Sequence, residues 1–282
     1  MTTPERLRRK AEALRALHRS GHPVVLVNVW DAATACIVER AGAAAIATTS
    51  AGIAFATGLP DGQVISRDQM LEAVARISSS VSLPVTADVE AGYGDSPEDV
   101  RRTVDGVLDA GAVGMNLEDG TGRRESPLFD IGPQATKIRA AVSRGRERGV
   151  ALVVNARTDV YLAHVGPESV RLEEAVRRGA AYRDAGADCV FVPGVTDPAT
   201  IAALVKRLAC PLNVLAAPGS PSIPELARLG VARVSLGSGP MRAAVTLVRR
   251  LAREALTNGT FSSLEGAIPH SELNALLSEP RS

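Results

Sequence analysis

Four carboxylates and one guanidinium stand where this chain passes from short apolar runs into loops. Asp88 and Glu90 end the run Pro84–Glu90, Glu118 lies near the end of Val113–Asp119, and Asp61 falls in the loop after Ala44–Ser50. Arg157 lies near the end of a fourth run, Ala151–Thr158. Brought to one mouth, the four acids repel one another unless a cation or protons intervene. Hard oxygen donors without His or Cys select Mg2+ or Mn2+, commonly with waters completing an octahedron. Residues i and i+2 of a strand share a face, so the run predicts that Asp88 and Glu90 point the same way. Arg157 supplies a planar fork for a substrate carboxylate or phosphoryl group. The competing reading of such acids is helix caps or surface ion pairs, and it is preferred for Asp31 and Asp159, which precede helical patterns.

Other chemistries lack their residues. The three lysines (Lys10, Lys137, Lys206) fall in helical patterns, away from strand ends, which argues against a Schiff-base aldolase. Of the four histidines only His164 follows a strand; His18, His22 and His270 read as surface or packing residues. Cys36, Cys189 and Cys210 are odd in number and widely spaced, so they form neither a disulfide framework nor a zinc cluster and read as small buried hydrophobes.

The elements that must position these residues are legible from end to end. Strand candidates are Val24–Trp30, Ala44–Ser50, Pro84–Glu90, Val113–Asp119, Ala151–Thr158, Asp188–Gly194, Pro211–Ala217 and Arg233–Gly237. They are continuously apolar rather than alternating, as parallel strands covered on both faces are. Between them lie helical patterns, one opened by Ser96-Pro97-Glu98-Asp99 and stopped by Gly111; Gly42, Gly186 and Gly230 stop others. Eight βα units of about 35 residues fill one (β/α)8 barrel, whose active site lies at the C-terminal ends of the strands. The rival open sheet lacks a G-x-G-x-x-G after the first strand. The chain therefore reads as a single barrel domain over 1–282, with an amphipathic N-terminal helix within 1–22 (Pro4–Ser20) and a C-terminal helical tail at 260–282. That tail carries Leu264, Ile268, Leu273, Leu276 and Leu277, apolar enough to dock on its own barrel or a neighbour's. Pro218-Gly219-Ser220 and Gly237-Ser238-Gly239 follow the last two strands, where barrels often bind phosphate, though tight turns need the same glycines.

Composition limits the partners. The 282 residues include 32 Lys+Arg against 31 Asp+Glu, a net charge of +1, which disfavours nucleic acid or an anionic membrane as partner. Aromatics are 3%, too few for base-stacking platforms. With 45% apolar residues a large core is available, while no run approaches a membrane span and no apolar segment follows the charged N-terminus, so a cytoplasmic protein is expected.

At these residues the chain resembles the isocitrate lyase/phosphoenolpyruvate mutase superfamily. The resemblance runs from about Pro23 to Arg253 and is carried by NVWDAATA (Asn28–Ala35), TTSAGIA (Thr48–Ala54), GLPD (Gly58–Asp61), ADVEAGYG (Ala87–Gly94), NLED (Asn116–Asp119) and NARTD (Asn155–Asp159). It implies a barrel whose last helix is exchanged between subunits, in a homodimer or homotetramer. It implies Mg2+ (or Mn2+) held by Asp88, Glu90 and Glu118, largely through water, with Asp61 nearby. It also implies small 2-oxo or 2-hydroxy acids whose carboxylate meets Ser50, Ala51 and Gly52, with Arg157 as the substrate-binding arginine. Four departures stand out. Glu90 replaces the usual second Asp, and Thr48 replaces an aromatic residue. In the loop after Glu118, Arg124-Glu125-Ser126-Pro127-Leu128 stands where the lyase branch has a Lys-[KR]-Cys-Gly-His motif, with Ser126 at the cysteine; the mutase branch's Asn there is absent too. Gly194 stands in place of a lyase Glu.

The expected function is metal-dependent stabilisation of an enolate-like intermediate of a small carboxylate, leading to C–C lysis or hydrolysis. Phosphonate chemistry of the mutase or phosphonopyruvate-hydrolase kind and non-catalytic 2-oxo acid binding are the alternatives. The polar, glycine-rich segment Gly120–Gly132 reads as a mobile lid, with Arg123 or Arg124 facing the substrate's distal anion and Ser126 contributing a hydroxyl.

Overall fold

A computed structural model describes residues 3–19 and 21–278. The elements, in chain order, are α1 (Pro4–Leu17), β1 (Val24–Leu26), β2 (Asn28–Val29), α2 (Ala32–Arg40), β3 (Ile46–Thr48), α3 (Ser50–Ala56), α4 (Arg67–Ser79), β4 (Val85–Asp88), α5 (Pro97–Asp109), β5 (Gly114–Glu118) and α6 (Ile131–Glu147). There follow β6 (Val153–Arg157), α7 (Glu168–Asp184), β7 (Cys189–Phe191), α8 (Pro198–Leu208), β8 (Leu212–Leu215), α9 (Ile223–Arg228), β9 (Arg233–Ser235), α10 (Gly239–Arg253) and α11 (His270–Ser278).

All strand pairs are parallel, in the order β1-β9-β8-β7-β6-β5-β4-β3-β2. The expected first strand is broken at Val27. Its lower half pairs with β9 (Val24↔Arg233) and its upper half with β3 (Asn28↔Ala47), so one stretch of chain joins both edges of the sheet into the barrel. The other strands occupy the expected runs but are shorter at their ends. That trimming matters twice: Ser50 opens α3 rather than ending a strand, and β4 stops at Asp88, leaving Glu90 outside it.

Helix ends follow the local code. Ser96 caps α5 in a capping box with Asp99, and Asp31 caps α2 through Thr34. Asp159 caps nothing: α7 begins only at Glu168, behind Pro167, and Asp159 is buried in an ion pair instead. The N-terminal helix ends at Leu17, while Ser20, the far end of its expected range, lies outside the described residues. It seals the bottom of the barrel with Leu7, Ala11 and Leu14 buried. Gly114, at the start of β5, admits Leu14, since a Cβ there would lie 2.7 Å from the leucine's Cδ2. Arg15 of α1 pairs with Asp188 at 2.7 Å.

The last barrel helix behaves differently. α10 buries only Met241, and Val245, Leu247 and Val248 stay exposed. In the tail, α11 packs against α2 of its own chain, while Phe261, Leu264 and Ile268 remain exposed; residues 279–282 lie outside the described ones. No helix among the described residues is long and apolar enough to cross a membrane.

Candidate active site

The C-terminal ends of the strands surround a cavity of about 250 Å3. Its walls include Ser50, Ala51, Asp61, Asp88, Asn116 and Arg157, together with Asn28, Phe191, Ser235, Ser238 and Arg242. Asp88 is fixed on both oxygens. Ser50 donates to Oδ2 through its backbone N–H (3.0 Å) and its hydroxyl (2.8 Å), and Asn116 Nδ2 donates to Oδ1 at 3.3 Å. The Asp88 N–H in turn donates to Thr48 Oγ1 at 2.8 Å, so the threonine that departs from the family pattern anchors this turn.

The turn beyond Asp88 is strained. Glu90 and Tyr93 adopt left-handed backbone (φ 51° and 58°), as does Gln63 (58°), whose Oε1 accepts from the Tyr93 N–H at 2.8 Å. Non-glycine residues held there cost about 1–3 kcal/mol each, and such strain gathers at functional sites. The left-handed turn also changes where Glu90 sits: it does not continue the face of Asp88, it is buried, and its Oε1 has no hydrogen-bond partner among the described residues. Burial first, then Asp88 and Asp61, pushes its carboxyl up to about 7.

Arg157 and Glu118 form a second constellation beside the cavity. Arg157 Nη1 lies 2.7 Å from Glu118 Oε2, while its Nε and Nη2 grip the two oxygens of Asp159 at 2.6 and 2.8 Å. Burial opposes the charge of Arg157, but Glu118 and Asp159 outweigh it and hold the guanidinium protonated. Burial pushes Glu118 upward against the pull of Arg157. Asp159 is itself positioned: its N–H donates to Asp119 Oδ1 (2.9 Å), and Asp119 Oδ2 accepts from Tyr182 (2.7 Å) and Arg178 (3.1 Å). Three of the five guanidinium N–H groups are thus used, and two remain for a ligand.

Of the residues singled out by sequence, Ser50, Ala51, Asp61, Asp88 and Arg157 meet at the cavity; Glu90 and Glu118 stand behind its wall. Among the described residues no three His, Cys, Asp or Glu side chains converge closely enough to ligate one ion directly, so the expected set Asp88, Glu90 and Glu118 is not a preformed three-carboxylate cage. The donor chemistry still fits a hard cation. Asp61 is raised by burial and by Asp88, Glu90 by burial and then by Asp88 and Asp61, and Glu118 by burial against the pull of Arg157, as expected of acids crowded into a partly dry site. Gly52 is packing rather than wall: a Cβ there would lie 2.5 Å from the Thr49 methyl and 3.1 Å from Trp30.

Arg124 and Ser126 are exposed and do not line the cavity. Their loop is more anchored than its composition suggests. Gly120 bridges Leu128, the Thr121 N–H donates to Pro127, the Phe129 N–H donates to Asp119, and Leu128 is buried. Arg123 pairs with Asp95 at 2.8 Å on the surface. The Gly237 N–H, a candidate phosphate ligand, is taken by Asn28 Oδ1 at 2.8 Å.

Two basic residues were missed. Arg242, in the first turn of α10, lines the cavity, and the rule that strand-end loops build the site would have found it. Lys137 lies in a helix as expected but is fully buried, 4.2 Å over the Phe129 ring, and burial lowers it to about 8. An inward lysine on an otherwise mixed helix leaves no periodic signal.

Residues 14–256 match the phosphoenolpyruvate phosphomutase family. A Burkholderia cenocepacia J2315 protein assigned only provisionally as a lyase/mutase is 40% identical, with 98% of each chain covered and a TM-score of 0.92. Phosphonopyruvate hydrolase in complex with oxalate and Mg2+ is 30% identical, with 95% of this chain and 94% of that one covered and a TM-score of 0.82. The 2-methylisocitrate lyase of Escherichia coli K12 is 33% identical over 193 residues, 66% of this chain and 62% of that one. With six ordered motifs, a parallel barrel and these relatives in agreement, the chain belongs to the isocitrate lyase/phosphoenolpyruvate mutase superfamily.

Proposed function

We propose that this protein is an enzyme dependent on a divalent cation, Mg2+ or Mn2+, that acts on a small 2-oxo or 2-hydroxy carboxylate by C–C lysis or hydrolysis. The observation that carries the reading is one small cavity whose wall combines acids (Asp61, Asp88) with two arginines (Arg157, Arg242). Acids alone describe a cation site and arginines alone an anion site; together they fit an anion bound with a cation. The residues that would hold the cation are Asp88 at the cavity wall, with Asp61, Glu90 and Glu118 acting through water. When bound, the cation supplies Lewis-acid stabilisation of charge developing on a substrate oxygen. Ser50 and Asn116 keep Asp88 oriented; the free N–H groups of Arg157 take a carboxylate, and Arg242 meets a second anionic group. A serine hydroxyl is a poor acid, so Ser126 does not simply replace the lyase cysteine as proton donor.

The likeness to phosphonopyruvate hydrolase supports phosphonate cleavage as a second reading, since the same two arginines suit a phosphoryl oxyanion. A metal-supplemented screen of 2-oxo, 2-hydroxy and phosphono acids separates the two. Turnover of carboxylates alone supports the first reading and turnover of phosphonates the second. Tight oxalate binding with no turnover in either panel would show a binding protein instead, and full turnover after exhaustive chelation would refute metal dependence.

The exposed apolar face of α10 supports a homo-oligomer in which this helix lies on a partner's barrel. A monomeric mass by light scattering at micromolar concentration would refute it.

A further inference from the structure

Behind the cavity wall the barrel interior holds an arginine that no carboxylate among the described residues contacts. Arg233 opens β9, in register with Val24 and Asn213, and is fully buried. Its Nη2 donates to Asn116 Oδ1 at 3.3 Å, its Nε to Ser235 Oγ at 3.4 Å, and its Nη1 has no hydrogen-bond partner among the described residues. The ionisable groups around it bring little negative charge. Cys189 is a thiol that burial pushes upward, His18 is lowered to about 4 by burial and then by Arg233 itself, and the Asp88 carboxyl favours the charged guanidinium without touching it. Burial pulls Arg233 down to about 10, so it is charged at neutral pH.

A buried guanidinium without an ion pair is costly, and its field is felt farther than a surface charge would be, because little water screens it. Here that field has a direction. Asn116 and Ser235, the two residues Arg233 touches, both line the cavity. Asn116 Oδ1 also accepts from Asn155 Nδ2 at 2.7 Å, and the same amide's Nδ2 donates to Asp88 Oδ1. Asp88 is thus one amide away from a fixed positive charge.

We infer that Arg233 is a specificity-determining residue that sets the charge preference of the cavity, strengthening anion binding and weakening cation binding at Asp88 without touching either ligand. The inference rests on the reading of the cavity as a joint cation and carboxylate site, and the experiment separates the two. Mn2+ affinity is measured calorimetrically on the full chain, oxalate affinity is measured at saturating Mn2+, and thermal stability is followed in parallel. Wild-type protein that binds neither probe overturns the reading of the site and this inference with it. If wild type binds both, Arg233→Met is expected to bind Mn2+ roughly five- to tenfold more tightly and oxalate roughly five- to tenfold more weakly. Arg233→Lys, which keeps the charge, is expected to stay within about twofold of wild type for both. Opposite signs for the two probes are what a field produces and a damaged fold does not. Unchanged affinities in Arg233→Met, or both affinities falling together with the melting temperature, would overturn the inference. If Arg233→Met does not fold, Arg233→Lys decides: retained affinities support it, and oxalate binding lost at unchanged melting temperature overturns it in favour of a geometric role for the guanidinium fork.

Discussion

The two ends of this barrel carry charge in opposite ways. At the bottom, polar side chains of α1 and of His18 just after it reach acids or backbone carbonyls. Arg15 bonds Asp188 and the Leu152 carbonyl, Lys10 donates to the Leu83 carbonyl, and the His18 ring bonds the Leu14 carbonyl at 2.8 Å. At the top, crowded acids are raised by burial and by one another, and Glu90, Tyr93 and Gln63 sit in left-handed backbone. The bottom is held largely by such pairings, whereas the top gathers carboxylate repulsion that a bound cation would offset. That is the division expected of a barrel whose chemistry uses the strand C-termini.

Removing one residue from each end separates the two roles. Arg157→Met strands Glu118 and Asp159 without their cation, and loss of one partner from a buried pair costs about 3–5 kcal/mol. Urea denaturation should show that loss, and oxalate binding should disappear with it. A variant as stable as wild type would mean the clamp is not what holds this end. Leu14→Ala at the bottom should cost about 2–5 kcal/mol, because the fully buried side chain fills the barrel's base. Its ligand affinities should stay unchanged; a weakened site would show that the ends are coupled. Asp88→Ala should leave stability closer to wild type but weaken Mn2+ binding by about 100-fold, as calorimetry would read. Equal Mn2+ affinity in the variant would remove Asp88 from the cation site.

The two ends should also answer pH with opposite slopes. His18, lowered from 6.5 to about 4 by burial and then Arg233, stays neutral in the fold while the unfolded chain takes up a proton. Its contribution is therefore present above about pH 6.5 and lost as pH falls toward 4. Glu90, raised from 4.5 to about 7, keeps a proton in the fold that the unfolded chain has released. The metal-free protein should thus lose stability as pH rises through that window, and Glu90→Gln should remove the loss. Melting curves from pH 4 to 8 for wild type, His18→Leu and Glu90→Gln test both signs, and a rising limb that survives in His18→Leu would exclude His18 as its source. The smallest effect on stability belongs to the exposed loop, where Arg124→Ala and Ser126→Ala should change it by no more than about 0.5 kcal/mol. Turnover reduced at unchanged metal affinity would show that the loop closes over the site during reaction; wild-type turnover in both would leave the chemistry to the strand-end residues.

Much of this was legible beforehand because local rules act over short spans. Continuous apolar runs mark the strands, and Ser96 and Asp31 announce helices through bonds that reach three residues ahead. Asp61, Asp88 and Arg157 could be assigned to one mouth because a parallel barrel delivers every strand end to the same face. The errors came where a side chain's role depends on residues far along the chain. Asp159 looks like a cap and is instead the second jaw on Arg157, a role supported by Asp119 and Tyr182 from other elements.

The sequence by itself determined the barrel, the order of its elements and which acids and arginines could reach the mouth, since hydrophobic period, caps and glycine stops are short-range physics. Only the tertiary structure decided which of them line the cavity and which stand behind it. It turned Glu90 out of line with Asp88 through a left-handed bend, closed Arg157 on Glu118 and Asp159, and added Arg242 to the wall. It also placed Arg233 beneath Asn116, 117 residues away along the chain. Burial and electrostatic coupling are sums over neighbours in space, and a linear pattern does not contain them.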